Sequence, residues 1–522
     1  MNLTVKMLEK EYWWGCSTAA ADACPFTKAS VFEYDMRLGY NQTMPLFLSN
    51  LGRYIFSTAP MRVRIESGVF SLSSDGEITL EHPGTCLRDA YLAASKKHFP
   101  FSGKIPPLKF FNTAQYNTWM ELDYNQSEEG VLTYARNLVK NGYEPGILMI
   151  DEGWHTPYGS WEFDLTKFPH PKEMIDELHS LGFTVMLWIV PLVTPCGKDF
   201  IIATEESRRC LAQDDGDKNY FLRTDDGEVA LVKWWNGYSA ILNMCKEDDR
   251  EFLDKKLCRL MEEYGVDGFK FDGGNISMYN EKNVVNGRQT RYTPEELNIA
   301  WNDFGARYEY HEYKDTYGGG GKAVIQRLRD RNHTWDGYGI NSILPAALLE
   351  GLIGHPFICP DMVGGGEWSF NYLKGFKCDA ELFVRMAELS ALFPMIQFSW
   401  APWRLLDEEH AALCLDAARL HKNFGQYIEQ LVRESAISGE PILRHLEYEF
   451  PHEGFATADD VFMLGSRVLV APVLKKGEIT RTVRLPRGTW LYRGEGQKIE
   501  GGVSITIDAP LGVLPYFTKV EQ

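Results

Sequence analysis

From residue 107 to about 415, short apolar runs alternate with amphipathic helical stretches, and this alternation restricts the fold more than any other feature of the chain. Strand-helix repetition over such a length is the pattern of a parallel α/β barrel. Candidate strands lie at 109–113, 147–151, 184–190, 268–272, 323–327, 356–361 and 394–398, which leaves the eighth strand of a (β/α)8 TIM barrel unplaced. Helices are expected at 128–141 and 171–181, closed by Gly142 and Gly182, and at 248–264, closed by Gly265. Another opens with Thr293 as N-cap and Pro294 at the first helical position.

The flanks read differently. Residues 1–105 show strand-like alternation broken by turns such as Asp75-Gly76. After a long helical stretch at 407–435 the texture returns to short β segments from 461 to 517. The expected organisation is an N-terminal β-sandwich (1–105), a catalytic barrel (106–435) and a C-terminal β-sandwich (436–522).

A net charge of −18 argues against nucleic acid as a partner, because phosphates need a basic face. No run approaches the roughly 20 apolar residues of a membrane span. Lys6, Glu9, Lys10 and Glu11 stand where a signal peptide would be apolar, which points to the cytoplasm. The ten cysteines are scattered without CxxC spacing, and no His/Cys ligand cluster is visible, so neither a metal nor another cofactor is expected. A homo-oligomer is compatible with the sequence.

Function in a barrel is read at the C-terminal ends of its strands. The most telling end is Gly265 to Asn275, where an apolar strand finishes in Asp272 followed by two glycines, with Lys270 on the same strand face. A cation there favours the ionised carboxylate. The other ends carry Asp151, Glu152 and Trp154; Trp188; Arg327 and Asp330; Asp361; and Trp400 and Trp403. Carboxylates and indoles without metal or nucleotide motifs point to glycosidic bond cleavage, which needs one carboxylate at the sugar cation and one carboxylic acid at the leaving oxygen.

The chain resembles glycoside hydrolase family 31, which holds α-glucosidases, α-xylosidases and α-galactosidases. The resemblance rests on Gly-Phe-Lys-Phe-Asp at 268–272, on the stretch 344–366 with its Gly-His-Pro-Phe-Ile-Cys-Pro-Asp core, on 393–404 and on 462–474. It implies a retaining, exo-acting α-glycosidase, with Asp272 as nucleophile and an oligosaccharide or other glycoside as its partner. For the acid/base it implies an aspartate with an aromatic residue five positions on. Asp330 with Trp335 fits, and Asp336 is the rival because the family's Trp-x-Gly lead-in is absent.

Carried over in the same way, Asp151, Glu152 and Arg327 would bind sugar hydroxyls, and Trp154, Trp188, Trp335 and Trp403 are candidate stacking platforms, with Lys270 and Asp361 beside them. Lys270 two residues before the nucleophile resembles the α-xylosidase and α-galactosidase branches, as does Asp151-Glu152-Gly153-Trp154, and an α-galactoside is the leaning. An α-glucoside or α-xyloside is the alternative. A catalytically inactive sugar-binding protein on the same fold is the more distant one.

Overall fold

The computed structural model describes residues 1–213, 220–224, 226–280, 292–373 and 375–520. Its centre is a nine-stranded parallel sheet in the order Ile358–Cys359, Ile325–Arg327, Tyr310–Tyr313, Gly268–Phe271, Thr184–Ile189, Ile147–Ile150, Gln115–Asn117, Gln397–Phe398 and Met362–Val363. The two outermost strands are consecutive in the chain, with only Pro360 and Asp361 between them. The sheet therefore curls until its edges adjoin, with one interrupted segment serving both.

Two expectations about the strands are corrected. Residues 109–113 do not form the first strand: Lys109–Asn112 is a short helix, and the strand is Gln115–Asn117. Phe110 and Phe111 are both buried, and so short an apolar run has no period that separates helix from strand. The missing strand is Tyr310–Tyr313, whose His311 and Glu312 are buried polar residues, so it lacks the apolar run that marks its neighbours.

The helix signals held. Ser127 caps Glu128–Lys140 by accepting from the Gly130 amide, Thr293 and Glu296 form a capping box ahead of Pro294–Gly305, and Asp407 caps Glu408–Ser438. Gly265, at φ +83°, ends the run that spans Glu247–Arg259 and Leu260–Tyr264.

On the N-terminal side, two antiparallel sheets enclose a core that includes Trp13, Phe26, Phe47, Ile65 and Phe70. Met61–Glu66 alternates buried and exposed along its whole length, as a strand with one face on a core should. This region is stitched to the barrel, for Thr316–Tyr317, just beyond the fifth strand, pairs in parallel with Gln42–Thr43. On the C-terminal side a six-stranded and a two-stranded sheet gather around Met463, Leu469, Trp490 and Phe517. Among the described residues no helix is long and apolar enough to cross a membrane.

Candidate active site

Parallel register sets the site. Trp188 pairs with Lys270 and Lys270 with Glu312, so one layer of the barrel carries an indole, an ammonium and a carboxyl side by side. Gly268 makes this neighbourhood possible, because a Cβ there would stand 2.0 Å from the Tyr310 carbonyl oxygen. Beyond Phe271 the Asp272 amide still donates to the Ile189 carbonyl (2.9 Å), and then Gly273 and Gly274, both at positive φ, turn the chain away. Asp272 is thus fixed at the residue directly after the strand.

The Asp272 carboxylate accepts from the Trp188 indole (3.1 Å) and from the Gly273 amide (2.8 Å). Burial alone would raise its pKa, but the charges of Lys314 and Lys270 outweigh burial and hold it below the usual value. Asp330 lies on the same cavity. Its Oδ2 accepts from Lys314 Nζ at 2.5 Å and its Oδ1 from Arg327 at 2.8 Å. Here too burial is overcome, first by Lys314 and then by Arg327, and the carboxyl sits well below its ordinary range. The raised pKa expected of a resting acid is therefore not what the open site shows.

Below these two carboxylates the barrel is closed by paired charges. Lys270 Nζ meets Asp151 Oδ2 at 2.6 Å, with both side chains almost fully buried. Arg327 meets Asp361 at 2.7 Å and Glu312 at 3.4 Å, and Gln397 donates to Glu312 at 3.1 Å. Burial pushes Asp361 up to about 6, with Arg327 opposing, and raises Glu312 as well. Charges this deep persist because each has an opposite partner. Asp361 also accepts from the Arg331 and Gly366 amides, so it braces the loops on either side of Asp330. It does not line the cavity, and its place among the sugar-binding candidates is corrected to a support for Arg327.

Glu152 is the other unusual carboxyl. Burial pushes its pKa up to about 8, against hydrogen bonds from Trp235 and Tyr158 that favour the anion. It accepts from the Trp235 indole at 2.9 Å and from the Asn236 side-chain amide.

The mouth has two lobes that share Asp272, Asp330, Lys314, Trp235 and Glu367. The inner lobe, about 430 Å³, also reaches Asp151, Lys270, Arg327, Trp119, Tyr124 and Trp368. The outer lobe, about 350 Å³, reaches Tyr40 and Asn41 of the N-terminal region, with Arg329, Asn332 and Tyr338.

Sequence reasoning placed Asp272, Asp330, Asp151, Glu152, Trp188, Lys270 and Arg327 on this cavity, and the structure brings them together. Three indoles are corrected. Trp154 is fully buried, its Nε1 donating to the Trp188 carbonyl; Trp335 donates to Asp379; and Trp403 packs near Tyr134 and Tyr143 along a separate groove. Asp336 accepts from the Thr334 hydroxyl and the Tyr338 amide on an exposed turn and does not itself line the cavity. The residues missed include Lys314, Trp235, Glu367, Tyr124, Trp119 and Trp368 on the cavity and Glu312 beneath it. Among the described residues no group of His, Cys, Asp and Glu could hold a metal ion.

The model of the glycosyl hydrolases family 31 TIM-barrel domain matches residues 104–428, and that of the family 31 C-terminal domain matches 439–522. The chain belongs to glycoside hydrolase family 31. It is 30% identical to the myogenesis-regulating glycosidase of Mus musculus over 419 residues, covering 77% of this chain and 55% of that protein. It is 25% identical to a 1,3-alpha-isomaltosidase of Kribbella flavida, covering 76% and 55%. The chain thus spans about half the length of the curated relatives it matches. Among solved structures, a Flavobacterium johnsoniae family 31 dextranase complexed with glucose superposes with a TM-score of 0.81 at 18% identity, covering 99% of this chain and 66% of the other, which shows a shared fold. The α-galactoside leaning draws no support from these family 31 relatives.

Proposed function

We propose that this chain is a retaining exo-α-glycosidase that releases a terminal α-linked sugar, with α-glucosides as the preferred class and α-xylosides next. The observation that carries the reading is that Asp272, after the fourth barrel strand, and Asp330, after the sixth, face one cavity, with Lys314, after the fifth, paired to Asp330 and its charge acting on Asp272. Asp272, held ionised, attacks the anomeric carbon as the glycosidic bond breaks, and Asp330 gives its proton to the departing oxygen. In the second half Asp330 takes a proton from water, whose oxygen attacks the anomeric carbon and frees Asp272. The charged layer of Lys270–Asp151 and Arg327–Glu312 closes the inner end, so a sugar enters end-first, which suits exo action.

Asp330 must acquire a proton before it can act as the acid. In the open site Lys314 and Arg327 hold it as an anion, so a bound sugar has to displace Lys314 from it, which lifts the carboxyl. Lys270, which carried the α-galactoside leaning, is spent on Asp151. The Kribbella flavida relative, at 25% identity, is a 1,3-alpha-isomaltosidase, and that supports the glucoside.

The same ion pairing of Asp330 favours a second reading, a sugar-binding protein without turnover. Incubation with p-nitrophenyl α-glucoside, α-xyloside and α-galactoside separates the two. Release from the glucoside that Asp272→Ala abolishes supports the enzyme. Three intact substrates together with thermal stabilisation by a sugar support the binder.

A further inference from the structure

The insert that follows the third barrel strand builds a three-stranded sheet from Leu192–Val193, Leu231–Trp234 and Gly237–Ile241. Its hairpin pairs Trp234 with Gly237, which leaves Trp235 and Asn236 as the two residues of the tip. The base of the hairpin is rigid: Trp234 is buried, and its indole donates to Ser239 at 3.0 Å. The tip reaches over the barrel mouth, where Trp235 lines both lobes of the cavity while staying 49% exposed.

One carboxyl seats that tip. Glu152 sits at the end of the second barrel strand with 3% of its surface exposed. One of its oxygens takes the Trp235 indole N–H at 2.9 Å, and the other takes the Asn236 amide. Asn236 is gripped a second time, for its own oxygen accepts from the Tyr124 hydroxyl at 3.3 Å. With both oxygens so engaged, Glu152 is poorly placed to bind sugar hydroxyls, the role the family resemblance suggested for it. A half-exposed indole on a two-residue tip would otherwise be mobile, because exposed side chains change rotamer freely.

We infer that Glu152 is a positioning residue that holds Trp235 as the wall between the two lobes, and that Trp235 determines which leaving groups the outer lobe accepts. The inference rests on the glycosidase reading: the sugar to be released occupies the inner lobe, and the leaving sugar passes the indole into the outer one. A pyranose face stacked on an indole offers the apolar contact that would select a second sugar over a small leaving group.

The test compares an α-glucosyl disaccharide, isomaltose, with α-glucosyl fluoride, whose leaving group is too small to reach the indole. The quantity read is the ratio of kcat/KM for the two substrates in the wild type, W235A, E152A, E152Q and E152A/W235A. W235A and E152A should each lower the ratio about tenfold, equivalent to about 1.4 kcal/mol. E152Q keeps an acceptor oxygen for the indole but sets its own N–H groups against the Asn236 amide, so its ratio should fall between those of the wild type and E152A, and the double variant should be no worse than either single one. The inference is overturned by a W235A ratio within twofold of the wild type. It is also overturned if E152A slows the fluoride and isomaltose alike, or if E152Q is as damaging as E152A. If the wild type hydrolyses neither compound, the glycosidase reading itself fails, and calorimetric titration with isomaltose replaces the rates. Weaker binding to W235A than to the wild type then supports the wall, and equal affinity overturns it.

Discussion

Lys314 Nζ lies 2.5 Å from Asp330 Oδ2, and the same ammonium is the strongest charge holding Asp272 ionised. One cation therefore serves both carboxylates of the site, and its own pKa is raised: burial opposes this, but Asp272 and Asp330 more than offset it. Removing it should disturb both halves of the reaction.

Lys314→Met is expected to lower kcat/KM by about 100-fold, the usual scale for losing one preorganised charge at a reacting centre. Because Lys314 depresses the pKa of Asp272, the acidic limb of the kcat/KM–pH profile should move to higher pH in the variant. A full pH–rate profile of both proteins checks this, and an unmoved acidic limb contradicts it.

Asp330→Ala should slow substrates with poor leaving groups by about 10² to 10⁴, and activated aryl glycosides far less. Azide should restore the rate on the activated substrates and yield a glycosyl azide. Asp336→Ala, on an exposed turn with Thr334, should stay within about twofold of the wild type. Azide rescue in the Asp336 variant instead would transfer the acid/base role.

Glu152 gives a pH signature in stability. Its pKa in the folded protein is pushed up to about 8 by burial, above the ordinary 4.5. A raised carboxyl contributes stability that is complete below the unfolded pKa and is lost as pH rises through the folded one. Between about pH 5 and pH 8 the wild type should therefore lose Tm relative to Glu152→Gln, which cannot ionise. Thermal melts across that range check it, and a constant Tm difference would show that Glu152 is ionised throughout.

Gln42 ties the N-terminal sheet to the site. Its fully buried side-chain amide donates to the Lys314 carbonyl at 2.9 Å and the Arg327 carbonyl at 3.0 Å. Gln42→Ala strips a donor from two buried carbonyls and should cost about 2 kcal/mol or more. Denaturant unfolding measures it, and a loss below about 0.5 kcal/mol would mean that the two carbonyls find other donors.

How much of this could be read from the sequence depended on the kind of signal. Asp272 was legible because it stands at the end of a short strand and is followed at once by two glycines, with Lys270 two residues before it. Lys314 was not, because the strand before it reads Tyr-His-Glu-Tyr and buries Glu312 against Arg327 and Gln397 and His311 against the Tyr308 and Ala323 carbonyls, pairings that exist only once the barrel has closed. Trp235 escaped notice because it is brought to the mouth by an inserted hairpin rather than by a barrel strand. Trp154, Trp335 and Trp403 were read as platforms since an indole looks the same in sequence whether its face meets a sugar or a core.

The central claim is covalent chemistry at Asp272, and the direct measurement is trapping. Wild-type protein incubated with 5-fluoro-α-glucosyl fluoride, then digested and analysed by mass spectrometry, is expected to carry one fluoroglucosyl group on the peptide that contains Asp272. The same reagent should leave Asp272→Ala unlabelled. A label on another carboxylate, or steady hydrolysis of α-glucosides with Asp272 never modified, would contradict the assignment.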